Sequence, residues 1–115
     1  MKNFYYLKTC DTCRRIIKEL NLPKSVEKRE IKSSPLNSSE IDRLATKAGS
    51  YEAIFNKRAR KLRENGLKAS ELKEAEFKSL LNDDYSFLKR PVLETEKQVL
   101  AGNSKAVVEE MNKLI

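Results

Sequence analysis

The stretch Asn3-Phe4-Tyr5-Tyr6-Leu7-Lys8-Thr9-Cys10-Asp11-Thr12-Cys13-Arg14-Arg15-Ile16-Ile17-Lys18-Glu19-Leu20 decides how the rest of the chain is read. Its first five residues are short, aromatic and apolar, as in a buried strand. At Lys8-Thr9-Cys10-Asp11 the pattern switches sharply. From Thr12 onward Cys13, Ile16, Ile17 and Leu20 fall at helical offsets and define one apolar face, which Asn21-Leu22-Pro23 ends. Val26 to Ile31 then reads as a second strand, because the helix has ended and Ser33-Ser34-Pro35 soon breaks the chain. Strand, helix and strand within about 30 residues form a βαβ unit, whose crossover makes the two strands parallel.

Further along, the period is helical. Asn37-Ser38-Ser39-Glu40 offers caps ahead of Ile41, Leu44, Ala45 and Ala48, with Gly49 as the stop. A second helix is expected from Tyr51 to Asn65, closed by Gly66. A third, capped by Ser70, is expected over 71–81, with Leu72, Ala75, Glu76, Ser79 and Leu80 on one face. Arg90-Pro91-Val92-Leu93 and Lys97-Gln98-Val99-Leu100 read as two short strands around a turn at Glu94-Thr95-Glu96. A last helix follows over 105–114. The order β-α-β, helices, β-β-α predicts one α/β domain over 1–115: a thioredoxin-like, four-stranded mixed sheet flanked by helices, with an all-helical insert over about 37–82.

Composition bounds the chemistry. The chain has 115 residues, 39% hydrophobic and 36% charged, which suits one domain with a lean core. No apolar run approaches the ~18 residues of a membrane span, so no membrane role is expected. There is no histidine, which excludes His-based triads, His general bases and zinc sites that use His. Two cysteines cannot close a Cys-only zinc site within one chain, so no metal is expected. The opening residues lack the apolar core and cleavage site of a secretory signal, and a reducing cytoplasm is the expected compartment.

Cys10-Asp11-Thr12-Cys13 sits where the strand gives way to the helix. There the unpaired N–H groups of a helix's first turn, and a dipole equivalent to roughly half a positive charge, favour a thiolate at Cys10. Arg14 and Arg15 add positive charge, and Asp11 opposes them. Cys13, one turn deeper on the apolar face, can attack a mixed disulfide formed at Cys10. Thiol or redox chemistry is the expected use of the motif, against simple packing of Cys13.

Tyr6-Leu7-Lys8-Thr9-Cys10-Asp11-Thr12-Cys13-Arg14, Phe55-Asn56-Lys57-Arg58 and Leu88-Lys89-Arg90-Pro91-Val92-Leu93 together resemble the arsenate reductase / Spx-type family, across essentially the whole chain. The resemblance implies a nucleophilic cysteine at Cys10, an arginine facing it at Arg90, and a cis Arg90–Pro91 peptide presenting backbone beside the thiol. It makes Cys10, Cys13 and Arg90 the candidate catalytic residues and Thr12, Asn56, Arg58 and Pro91 the candidate substrate-binding ones. Arsenate reductases of this family surround the oxyanion with three arginines. Only Arg90 carries over. The middle position falls near Asn56, with Lys57, Arg58 and Arg60 adjacent, and the last near Ala101-Gly102, where no arginine stands.

The resemblance therefore implies a thiol oxidoreductase acting on a small oxyanion or thiol substrate, with arsenate itself a poor one. No bound cofactor is expected; glutathione, a glutaredoxin or a thioredoxin would supply electrons. The alternative it implies is a Spx-type redox-sensing regulator whose Cys10–Cys13 disulfide alters its grip on RNA polymerase. The net charge of +7 comes largely from 57–68, where Lys57, Arg58, Arg60, Lys61, Arg63 and Lys68 face one acid, Glu64. That run reads as a solvated face, an anion cradle or a docking surface for an acidic partner. No recognition motif accompanies it, so direct nucleic-acid binding is not expected. Phe4, Tyr5, Tyr6 and Phe55 read as packing residues rather than a base-stacking platform.

Overall fold

The computed structural model describes residues 1–115. They divide into two compact units, one formed by Met1–Pro35 with Arg90–Ile115 and the other by Leu36–Lys89.

The first unit is built on strands β1 (Asn3–Tyr6), β2 (Glu27–Glu30), β3 (Val92–Glu94) and β4 (Val99–Ala101), with helices α1 (Asp11–Leu20) and α5 (Lys105–Leu114). The strand order is β2-β1-β3-β4. β1 runs parallel to β2, pairing Asn3 with Glu27 through Tyr6 with Glu30, and antiparallel to β3, which is antiparallel to β4. This is the mixed sheet expected of a thioredoxin-like fold. Phe4 and Tyr5 point to opposite faces of β1 and both are buried, which is why the strand shows no polar alternation. Ile16 and Leu20 of α1, Met111 of α5, Val26, Phe4 and Leu93 form the core on one face of the sheet. Truncating Phe4, Ile16, Leu20, Leu93 or Met111 to alanine is expected to cost about 2–5 kcal/mol.

The local signals act as read. Cys10 takes the extended backbone of an N-cap, and Asn21 closes α1 in the left-handed region, its N–H donating to the Ile17 carbonyl at 3.2 Å. The Ser104 hydroxyl caps α5 by accepting from Val107 N at 3.2 Å. Gly102 turns the chain out of β4 at φ 115°, a conformation closed to most side chains, and donates its N–H to the Pro91 carbonyl at 2.9 Å.

The hairpin differs from the sequence reading at both strands: Arg90 and Pro91 precede β3, Lys97 and Gln98 lie in the turn rather than in β4, and Ala101 joins β4. Glu94, expected in the turn, is the last residue of β3 and fully buried. Tyr5 Oη and Asn3 Nδ2 donate to its carboxylate at 2.8 and 3.0 Å, which is what allows an acid to sit there. The turn itself spans Thr95 to Gln98, closed by the Thr95 N–H to the Gln98 carbonyl.

In the second unit α2 (Ser38–Ala48) begins at a reciprocal capping box: Asn37 Oδ1 accepts from Glu40 N, and Glu40 Oε1 accepts from Asn37 N, both at 2.9 Å. Its buried residues are Ile41, Leu44 and Ala45, and Gly49 ends it at φ 104°. The helix expected over 51–65 is absent. A 3₁₀ turn (Glu52–Ile54) gives way to an extended Phe55, bridged to Leu88, before a short α3 (Arg60–Glu64). The Phe55 ring lies against those of Phe77 and Phe87, at 4.7 and 5.5 Å between centroids, and this packing overrides the local helical pattern.

The third expected helix is also displaced. Ser70 lies in a 3₁₀ turn, and α4 spans Glu74–Asp83, its start fixed by Glu76 Oε1 accepting from Lys73 N at 3.0 Å. Ala75, Glu76 and Ser79 are exposed; the buried pair is Phe77 and Leu81, four residues apart. No helix of the protein is long and apolar enough to cross a membrane.

Candidate functional site

β1 ends at Tyr6, and the chain reverses through Leu7-Lys8-Thr9 so that the Cys10 N–H donates to the Leu7 carbonyl at 3.1 Å. Cys10 is thereby placed at the N-cap of α1, half-buried, while Cys13 on the third helical position is fully buried. Both thiols are free.

Their ionisation is pulled in opposite directions. Burial raises the Cys10 pKa, but the Cys13 N–H, the Cys13 thiol and the Arg90 guanidinium all favour its thiolate, and the net displacement is downward. Cys13 is pushed up to about 11, chiefly by burial and further by the thiol and charge of Cys10, with the Leu7 backbone and Arg90 opposing. The positive charge acting on Cys10 comes from Arg90. Arg14 and Arg15, expected to supply it, pair instead with Asp11 and Glu19.

Arg90 is brought to Cys10 by the approach to β3. It precedes Pro91 across a cis peptide, as the family resemblance implies, and Pro91 is buried beside Val92. Thr12 is half-buried on the first turn of α1, between the two cysteines in sequence. Three of the seven candidate residues, Cys10, Cys13 and Arg90, act on one another in the first unit, with Thr12 on the same helical turn as the cysteines and Pro91 next to Arg90 in the chain.

Asn56 and Arg58 belong to the second unit. Asn56 N donates to the Phe87 carbonyl at 2.7 Å and its Nδ2 to the Ser86 carbonyl at 3.3 Å, while its Oδ1 accepts from Arg58 N at 3.1 Å. Its side chain organises the turn after Phe55, and the Arg58 side chain is exposed. Among the neighbouring cations, Lys57 pairs with Glu52 and Lys61 with Asp84, so part of the basic run is neutralised locally.

One residue near the thiol was not singled out from sequence. Glu30, the last residue of β2, accepts the Lys8 N–H on Oε2 at 2.9 Å. Its Oε1 takes Ser33 N, Ser33 Oγ and Lys32 N at 2.7, 2.8 and 3.1 Å. The Lys8 and Ser33 N–H groups lead in holding the carboxyl down at about 2. The signal that finds it is the parallel register, which sets Glu30 opposite Tyr6 and so beside the turn into Cys10.

A mixed four-stranded sheet with a C-x-x-C motif at the start of the first helix and a cis proline opening the third strand defines a thioredoxin-like thiol protein. Residues 5–111 match the ArsC family, and the chain belongs to it. Among solved structures it is similar to an ArsC family related protein from Bacteroides fragilis, with 25% identity, a TM-score of 0.79, and 99% of this chain and 97% of that one covered. An arsenate reductase (ArsC) related protein from Brucella melitensis has 23% identity and a TM-score of 0.71, with 95% and 92% covered. An arsenate reductase from Vibrio cholerae has 14% identity and a TM-score of 0.76, with 99% and 97% covered. The last two likenesses speak to the fold alone. No curated protein matches the sequence.

Proposed function

We propose that the protein is a thiol oxidoreductase in which Cys10 is the nucleophile, Cys13 the resolving thiol and Arg90 the holder of the substrate's negative charge. The observation that carries this is the arrangement of the two sulfurs: Cys10 half-buried at the N-cap beside Arg90, Cys13 buried one turn on. The Cys10 thiolate attacks the oxidised centre of a small oxyanion or thiol-linked substrate, forming a sulfur–substrate bond and expelling hydroxide or a thiolate. Arg90 stabilises the charge at that centre. Once Cys10 is covalently bound its negative charge is gone, and with it one of the influences that keep Cys13 protonated. Cys13 loses its proton to solvent and attacks the Cys10 sulfur. A Cys10–Cys13 disulfide forms, and the substrate leaves with the electron pair of the broken bond, two electrons richer. Glutathione, a glutaredoxin or a thioredoxin returns the disulfide to the dithiol.

With Arg90 as the one clear arginine of the anion site, arsenate is expected to turn over weakly. The test is a coupled reduction assay with each donor system, run beside Cys10→Ser. Turnover lost in that variant supports the enzyme. No turnover with any donor or substrate class favours a second reading, a Spx-type regulator that uses the same disulfide as a switch. What supports that reading is exposed Arg58, Arg60 and Arg63, a positive surface suited to an acidic partner such as a subunit of RNA polymerase. Oxidation-dependent binding to the polymerase, absent in Cys13→Ser, would decide for it.

A further inference from the structure

We propose that Glu30 is a positioning residue for Cys10, fixing the turn that delivers the thiol to α1 by tying it to the turn that follows β2. The proposal rests on the reading of Cys10 as the reacting thiol.

Glu30 stands at the end of the parallel ladder. Ile31 N donates to the Tyr6 carbonyl at 2.9 Å, the last backbone bond between β1 and β2. The next donor of β1 is the Lys8 N–H, and in a continuing strand it would find a β2 carbonyl. The chain must leave the sheet here to set Cys10 at the head of the helix. The Glu30 side chain takes over, with Oε2 on Lys8 N at 2.9 Å. Leu7 to Cys10 is then a tight turn held at two points, by the Cys10 N–H on the Leu7 carbonyl and by the carboxylate on Lys8.

The second oxygen is equally committed. Oε1 accepts Lys32 N, Ser33 N and Ser33 Oγ, so one carboxylate spans two turns. Its neighbour Arg29 holds the same connection from the other side, with Nε donating to the Ser34 carbonyl at 2.9 Å and the guanidinium also bonded to the Pro35 carbonyl at 2.7 Å. All four groups on Glu30 are donors, and only an ionised carboxylate offers acceptors in both directions. Glutamine presents an NH₂ group to one of the two turns, donor against donor. Aspartate keeps the charge but is one methylene too short to reach both. The low pKa of Glu30 agrees with a carboxylate committed in this way.

The experiment compares the full-length chain with Glu30→Gln, Glu30→Asp and Ser33→Ala. The readouts are the pH dependence of iodoacetamide alkylation at Cys10, located by peptide mass, and the thermal midpoint. Loosening the Lys8 turn lets Cys10 drift from the Cys13 N–H and from Arg90. Both Glu30 variants are therefore expected to raise the Cys10 pKa and slow its alkylation about three- to tenfold at neutral pH. Ser33→Ala, which leaves the Lys8 bond in place, is expected to lower the thermal midpoint without moving the Cys10 pKa. Equal slowing in Ser33→Ala and Glu30→Gln, or a lowered midpoint with the Cys10 pKa unmoved in the Glu30 variants, overturns the proposal. If the unaltered protein alkylates at Cys13 first, the reading of the site itself has failed, a different result. Should the Glu30 variants not fold, amide exchange at Lys8 in the unaltered protein decides: protection is required, and exchange at the rate of an open chain refutes the bond.

Discussion

The Tyr5 hydroxyl donates to Oε1 of Glu94 at 2.8 Å, with both side chains closed off from water. An ionisable group inside a sheet protein is tolerated only with its bonds made, and this pair ties β1 to β3 through their side chains as well as their backbones. Tyr5→Phe removes a donor and leaves the carboxylate less well satisfied. A loss of about 1–3 kcal/mol is expected, seen as a lower urea midpoint with an unchanged slope. A slope change would mean that the variant alters the folded or unfolded ensemble instead.

Alkylation with limiting reagent should label Cys10 before Cys13 at neutral pH. Cys10 is half-buried with its pKa lowered, whereas Cys13 is sealed off and held up at about 11. Peptide mass gives the order directly, and preferential labelling of Cys13 would reverse the two assignments.

Mild oxidant should produce an intramolecular Cys10–Cys13 disulfide that dithiothreitol reverses. In Cys13→Ser the same treatment should give intermolecular links or over-oxidised Cys10. Intermolecular links from the unaltered chain would remove Cys13 from the resolving role.

On the proposed function Arg90 offers both charge and shape to an anion, and its variants should separate the two. Arg90→Ala should raise the Cys10 pKa and weaken oxyanion binding about ten- to a hundredfold, the worth of a charge-assisted contact. Arg90→Lys should recover much of the effect on Cys10 but little of the affinity, since the planar fork is lost. Saturable, efficient arsenate reduction by the unaltered protein would show that other side chains fill the anion site.

Acid should expose the contribution of Glu30 to stability. Its folded pKa of about 2 lies below the ordinary 4.5, so its stabilisation is present above 4.5 and lost as pH falls toward 2. The gap in urea midpoint between the unaltered chain and Glu30→Gln should be widest above that upper value and close through the window. The side chain faces solvent, so the gap is small and shrinks with salt. A gap constant with pH would assign the effect to something other than charge.

The sheet and the thiol pair were legible because local pattern and tertiary structure agree there. Phe4 and Tyr5, then Cys13, Ile16 and Leu20, carry the strand and helix periods without conflict, and the C-x-x-C motif falls at their junction. The 51–65 segment was misread because Phe55 is committed to Leu88 and to two rings distant in sequence, and no local window contains those partners. Glu94 was placed in a turn because an acid is a poor guess for a buried strand position. Only its pairing opposite Asn3 shows where its bonds are made. Glu30 escaped notice for the same reason: the residue that it holds is Lys8, across the βαβ crossover.

Strand β2 is Glu27-Lys28-Arg29-Glu30, four charged residues in succession at an open border of the sheet. It keeps its place through Val26 and Ile31, buried on either side of it. An extended segment from another molecule could add to this border only by desolvating a row of mixed charges. Crowded or partly unfolded chains are thus discouraged from zipping together along β2, and a protein with a lean apolar interior gains protection from aggregation from the strand with the weakest hydrophobic pattern.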